Sequence, residues 1–173
     1  MVGLAITAIG AIGFFLTVQL TSVAVEIAGY SNNIAAKLTV LRYKSHYYNV
    51  SGIDSDAVKP EFLQHAQEAQ QHADLLAKRI VELNGAPNFN PEGLAQRSRS
   101  EFPHNSDLIS MIRDDLVAER IAVESYSEVA RRLGSDDQTT RKLMLDILAV
   151  EEKHPMDMKK TLIANVLEAQ KVK

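Results

Sequence analysis

Glu119, Glu151 and His154 lie on apolar stripes of helical periodicity, and this most constrains what the chain can fold into. Around Glu119 the stripe is Ile112, Leu116, Val123 and Tyr126. Around Glu151 and His154 it is Met144, Ile147, Leu148, Met158 and Leu162. The spacing Glu151-x-x-His154 is one turn, which puts both side chains on one helix face. Two carboxylates and an imidazole aimed into a helical core are costly unless opposite charge offsets them, and a metal ion is the usual source of that charge. The chain has no Cys, which excludes thiolate metal sites and disulfide scaffolds. Carboxylate and imidazole donors suit iron, manganese or zinc. A formal net charge of −3 gives no reason to expect nucleic acid on a basic face.

A chain of 173 residues makes one domain with a sizeable core. From Ser31 onward it reads as helix nearly throughout. One segment runs to Tyr48 and stops at the turn cluster Asn49-Val50-Ser51-Gly52. A second starts near Asp56 and stops at Asn84-Gly85-Ala86-Pro87, with Gly expected just past the end and Pro beyond. A long polar connection follows from Asn88 to Asn105. A third helix starts at Ser106 or Asp107 and ends at Leu133-Gly134. A fourth starts at Ser135-Asp136-Asp137 and runs to about Glu168. No segment alternates like a strand. Pro155, inside the fourth pattern, removes the backbone bond to the carbonyl of Glu151 and predicts a bend there.

The segment 1–30 differs from the rest. Val2 to Val25 carries no charge, and Gly3 to Val23 is long enough to span a bilayer. It makes a poor signal peptide, because no Lys or Arg precedes it. It also contains Thr7, Thr17, Gln19, Thr21 and Ser22, and no basic residue flanks it closely. The favoured reading is a helix packed at a subunit contact in a cytoplasmic protein, with membrane contact as the alternative.

The two helix pairs read as repeats. His72 lies on the second helix with Leu75, Leu76 and Ile80 and matches His154. Stepping the Glu119–His154 separation back from His72 lands on Lys37, beside Ala36. The position matching Glu151 is Ala69. Glu68, four before His72, lies near the same face but is rotated by about 100° from the ideal place. His65, two turns before His72, is expected at the surface.

Several stretches carry a family resemblance. They are Leu41-Arg42-Tyr43-Lys44 with His46-Tyr47-Tyr48, His72 to Ile80, and Gly85-Ala86-Pro87 with Phe89 to Leu94. Leu116 to Ala122 and Ile147 to His154 complete the set. On these residues the chain resembles the ferritin-like superfamily, close to bacterioferritins and the bacterial Dps-like ferritins, from about Ala35 to Leu162. The resemblance implies an all-α four-helix bundle over residues 31–173, with one long crossover between the second and third helices. It implies a homo-oligomeric shell that oxidises iron(II) and stores iron.

In that family, each half supplies one Glu from its first helix and Glu-x-x-His from its second, and together these hold two irons. The resemblance makes Glu119 and His154 terminal ligands, Glu151 a bridging ligand, and His72 the imidazole of the other iron. The family's remaining carboxylates fall at Ala36 or Lys37 and at Ala69, so the two-iron site is incomplete, with Glu68 as a second-choice ligand. The haem-binding Met of bacterioferritins falls at Gln70, so non-haem iron is expected and haem is not. Met144, Met156 and Met158 are read as core. Two other functions remain: a structural or co-assembling shell subunit without its own ferroxidase activity, and a Dps-like DNA-protecting shell suggested by His46 to Gly52.

Overall fold

A computed structural model describes residues 33–51, 55–92 and 107–171. The apolar segment of residues 1–30 and most of the long connection lie outside the described residues. Among the described residues five helices follow in order: α1 (Asn33–Asn49), α2 (Ser55–Glu82), α3 (Leu108–Leu133), α4 (Gln138–Glu151) and α5 (His154–Lys171). α1 packs on α2, and α3 packs on α4 and α5. Together α4 and α5 form the fourth rod of an all-α four-helix bundle, as the sequence predicts.

The helices form where the apolar period matches the helical one. On α2, Val58, Phe62, Ala66, Ala69, Ala73, Leu76 and Ile80 are buried at intervals of three or four residues. Leu75, read as part of that stripe, is 46% exposed, one residue off the buried face. On α3 the buried stripe runs through Met111, Ile112, Asp115, Glu119, Tyr126, Val129 and Leu133. Leu116 and Val123 flank it, half-buried. Met144 and Met158 are fully buried, whereas Met156 is 56% exposed and not core.

Two apolar clusters result, one toward each end of the bundle. Leu76, Ile80, Tyr126, Val129, Leu133, Met144 and Ile147 form the first. Tyr43, Val50, Val58, Phe62, Met111, Ile112 and Met158 form the second. The polar positions 65–72 of α2, Glu119 of α3, and Glu151 and His154 of the fourth rod fall between them.

The ends of the helices are set by local chemistry. Asp107 caps α3 by accepting from the Ser110 amide at 2.9 Å, and Gly134 (φ +52°) ends it. At the end of α2 the left-handed residue is Asn84 (φ 63°), not Gly85; the Gly85 amide bonds back to the Ile80 carbonyl at 2.8 Å. Asn tolerates that conformation, so the stop lies one residue earlier than the Gly suggested. A parallel bridge pairs Ser51 with Asp107, which returns the chain to the α1–α2 turn before α3 begins. The described ends of the connection therefore lie at opposite ends of the bundle. Its start is held to α1 by Lys37, whose Nζ donates to the Asn88 carbonyl at 2.5 Å and sits 3.7 Å above the Phe89 ring.

The fourth rod is broken, not merely bent. α4 ends at Glu151, Glu152 and Lys153 form a turn, and α5 starts at His154. Pro155 thus occupies the first turn of a new helix, where a missing N–H costs little.

Asp137 caps α4 through the Thr140 amide at 2.9 Å and also pairs with Arg79 of α2 at 3.1 Å. Arg79 Nε reaches the Thr140 hydroxyl at 2.8 Å, so this network joins the end of α2 to the start of α4. Burial pushes the Asp137 carboxyl up, but the bonds from Thr140 and Arg79 outweigh it and hold it below the ordinary value of 3.8. Its contribution is therefore full above that value and is lost as pH falls through the lower folded-state value. Asp137→Ala should lower stability by about 1 kcal/mol at neutral pH, as for other lost caps. In thermal melts, the deficit relative to wild type should shrink as pH is taken below 3.8; a deficit independent of pH would show that the ionised cap contributes nothing.

Candidate metal centre

Between the two apolar clusters the bundle buries a set of ionisable side chains. Glu119, Glu151, His154, His72 and His65 are each at most 5% exposed. His154 stands at the centre. Its Nδ1 lies 3.2 Å from Glu119 Oε2 and 3.4 Å from Glu151 Oε2, and its Nε2 lies 2.8 Å from Glu68 Oε2. His72 Nδ1 donates to Glu151 Oε1 at 2.8 Å. The Tyr43 hydroxyl of α1 donates to Glu119 Oε1 at 2.5 Å. The structure thus brings together Glu68, His72, Glu119, Glu151 and His154, the five residues singled out from sequence.

It also adds His65, which the sequence reading put at the surface. His65 is 2% exposed and stacks on His154, with ring centroids 4.1 Å apart and planes 20° apart. The physical reason is rotational. Seven residues at about 100° each leave His65 only about 20° from the direction of His72. The same two-turn spacing was the signal that could have found it. Ala36 and Ala69 are both buried, so both positions face the interior and carry only a methyl group.

Electrostatics follow from burial. Burial pushes the Glu119 carboxyl up to about 7, opposed by the bond from His154 and aided by the charge of Glu151. Burial would also raise Glu151, but bonds from His154 and His72 hold it well below the usual carboxylate range. Burial alone would lower His154; its bonds to Glu119 and Glu151 instead raise it to about 11. His65, buried and beside the charged His154, drops to about 4 and stays neutral. Both ring nitrogens of His154 thus face carboxyl groups, Nδ1 toward Glu119 and Glu151 and Nε2 toward Glu68.

The donors fit a divalent transition ion. Nitrogen and carboxylate oxygen are the only donor types, and they suit iron, manganese or zinc. His65, Glu119 and His154 each offer a ligand atom within 4.8 Å of the others. His65 Nδ1 and the Tyr126 hydroxyl are among the buried polar atoms with no hydrogen-bond partner among the described residues. A second polar layer lies one turn along α3, where the fully buried Asp115 pairs with His46 of α1 at 2.9 Å. Burial raises the Asp115 carboxyl against the pull of His46 and Arg42. Neither Tyr43 nor this layer was read from the sequence, because partners on different helices share no spacing.

A four-helix bundle with a carboxylate–imidazole centre defines a class of protein, and comparison places the chain within it. The family model described as ferritin-like domain matches residues 34–165, and the chain belongs to that family. Among solved structures it is similar to the bacterioferritin-related protein of Bacteroides fragilis, described as a dodecameric thioferritin. The TM-score is 0.79 at 27% identity, covering 88% of this chain and 90% of that one. Dps from Thermosynechococcus elongatus has a TM-score of 0.78 at 18% identity, covering 84% and 94%. Dps from Vibrio cholerae, described as a member of a broad superfamily of ferritin-like diiron-carboxylate proteins, has a TM-score of 0.76 at 19% identity, covering 83% and 91%. At those identities the two Dps structures speak to the fold alone. Among the described residues, no helix is long and apolar enough to cross a membrane.

Tyr43→Phe deletes the hydroxyl that bonds Glu119 Oε1 and leaves a buried carboxylate oxygen short of a donor. The metal-free variant should lose about 1–3 kcal/mol in urea denaturation with chelator present. An unchanged midpoint would mean that the Tyr43–Glu119 bond is not formed in solution.

Proposed function

We propose that this chain is an iron-handling subunit of a ferritin-like shell. It binds iron(II) as substrate inside each bundle, oxidises it slowly, and stores it in a homo-oligomer. The observation that carries this reading is the convergence of Glu119, Glu151, His154 and His72 at one buried point between the apolar clusters. Glu119, Glu151 and His154 hold one metal firmly. His72 and Glu68 serve a second position weakly.

Slow oxidation follows from the missing carboxylates. Reduction of oxygen to peroxide takes two electrons, and each iron(II) supplies one. Fast turnover therefore needs two metals clamped close together by shared carboxylates. Glu151 is one bridging carboxylate; the second would have come from position 69, where Ala69 stands. The same buried alanines favour a second reading, a structural or co-assembling shell subunit with no ferroxidase activity of its own.

Assembly is supported by the Bacteroides fragilis relative, described as dodecameric. Light scattering at micromolar concentration should give a mass of many subunits. A stable monomer would remove the storage reading.

Metal linkage tests the site itself. Under anaerobic conditions, iron(II) at about 100 times its Kd should stabilise the fold by about 2.7 kcal/mol. Glu119→Ala should abolish that gain. Ala36→Glu with Ala69→Glu should raise the iron stoichiometry from one to two per subunit and speed oxygen-dependent oxidation by roughly 10-fold or more, on the scale of losses seen when metal sites are impaired. If wild type already binds two irons tightly and oxidises them fast, the alanines are not the limiting defect. If metal leaves the melting curves of wild type and Glu119→Ala alike, the cluster is not a metal site.

A further inference from the structure

We propose that His65 is the positioning residue for His154: the flat face of its ring keeps the His154 imidazole turned toward Glu119 and Glu151, in the orientation that receives an ion. This rests on the metal-centre reading above and adds to it how the central ligand is held.

Hydrogen bonds alone hold the His154 ring unevenly. Nε2 lies a close 2.8 Å from Glu68 Oε2, whereas Nδ1 lies 3.2 Å from Glu119 and 3.4 Å from Glu151, at or past the long end of ordinary N–H···O bonds. The nitrogen that faces the two buried carboxylates is therefore the loosely tied one. An ion bound there would also take the place of its proton, which removes even those contacts. Turning the ring about its Cβ–Cγ bond moves Nδ1 out of the ring plane. The stack on His65, with centroids 4.1 Å apart and planes 20° apart, opposes that turn. Motion toward His65 meets its face, and motion away gives up the contact.

His65 is itself fixed. It is 2% exposed, and Tyr43 meets it edge-on with centroids 5.1 Å apart at 84°. The Tyr43 hydroxyl donates to Glu119 Oε1, and Glu119 Oε2 faces His154. Tyr43 of α1, His65 of α2, Glu119 of α3 and His154 of α5 thus form a closed frame with one side chain from each rod. His65 acts in it through contact. Its Nδ1 has no hydrogen-bond partner among the described residues, and its plane is nearly parallel to that of His154, so the in-plane lone pairs of the two rings do not converge on one ion.

The test separates a flat face from filled space and from ring nitrogens, with cobalt(II) added anaerobically to the full chain. His65→Leu fills the position without a flat face, and should weaken cobalt(II) binding by roughly 10-fold, on the scale of lost outer-shell support at metal sites. His65→Phe restores a flat face without nitrogens, and should recover most of that loss. Equal binding by wild type and both variants would show that filled space suffices, and equal loss in both would show that the nitrogens matter; either overturns the proposal. A second measurement needs no variant to fold and no metal. Solid-state NMR of the histidine-labelled, metal-free wild type should show ring-to-ring cross-peaks between His65 and His154 and a rigid His154 ring. A His154 ring that moves through a wide arc would overturn the proposal. Should the His65 variants all bind like wild type while Glu119→Ala does not, the metal-centre reading stands and the proposal alone falls. Failure of wild type to bind cobalt(II) at all would remove both.

Discussion

The desolvation of carboxylates at the middle of the bundle is the constraint on which the rest depends. Burying ionised groups in an apolar rod is unfavourable unless each finds a partner of opposite charge. His154 meets that need here. Its two nitrogens face Glu119, Glu151 and Glu68, and the resulting charge keeps it protonated far above its ordinary range. The imidazolium is thus a metal-free stand-in for a cation. Under the proposed function, a divalent ion bound there would displace that proton, so metal affinity and protonation would compete.

The alanines at 36 and 69 act on both sides of that competition. Two further buried carboxylates would raise the repulsion that the metal-free bundle has to absorb. With alanine at both places the metal-free bundle is spared that repulsion. A centre with three imidazoles and three carboxylates therefore favours fewer ions and weaker bridging than one richer in carboxylates.

The scaffold holds this centre by packing its two ends rather than its middle. Apolar clusters close the bundle above and below, and the Arg79–Asp137–Thr140 network ties α2 to the start of the fourth rod. The break at Glu152–Lys153 then matters for function. Glu151 is the last residue of one helix and His154 belongs to the first turn of the next, yet both still reach Glu119's neighbourhood. Pro155 sets the break, and the turn carries the chain across without losing the one-turn relation of the pair.

Local patterns in the sequence determined a good deal of this. Apolar periodicity located the helices and put Glu119, Glu151, His154 and His72 on inward faces. Asp107, Asp137 and Gly134 marked helix ends, because caps and stops depend on neighbours within one turn. The tertiary structure decided what no single helix contains. His65 shares its direction with His72, but an inward stripe is about 100° wide and its edges are settled only by the helix it meets. Leu75 fell outside that stripe and His65 inside it for this reason. The bonds from Tyr43 to Glu119, His46 to Asp115 and His72 to Glu151 join residues far apart in the chain. Periodicity fixes angles about one axis; the distance between two axes, and therefore which charges meet, is decided only when the helices pack.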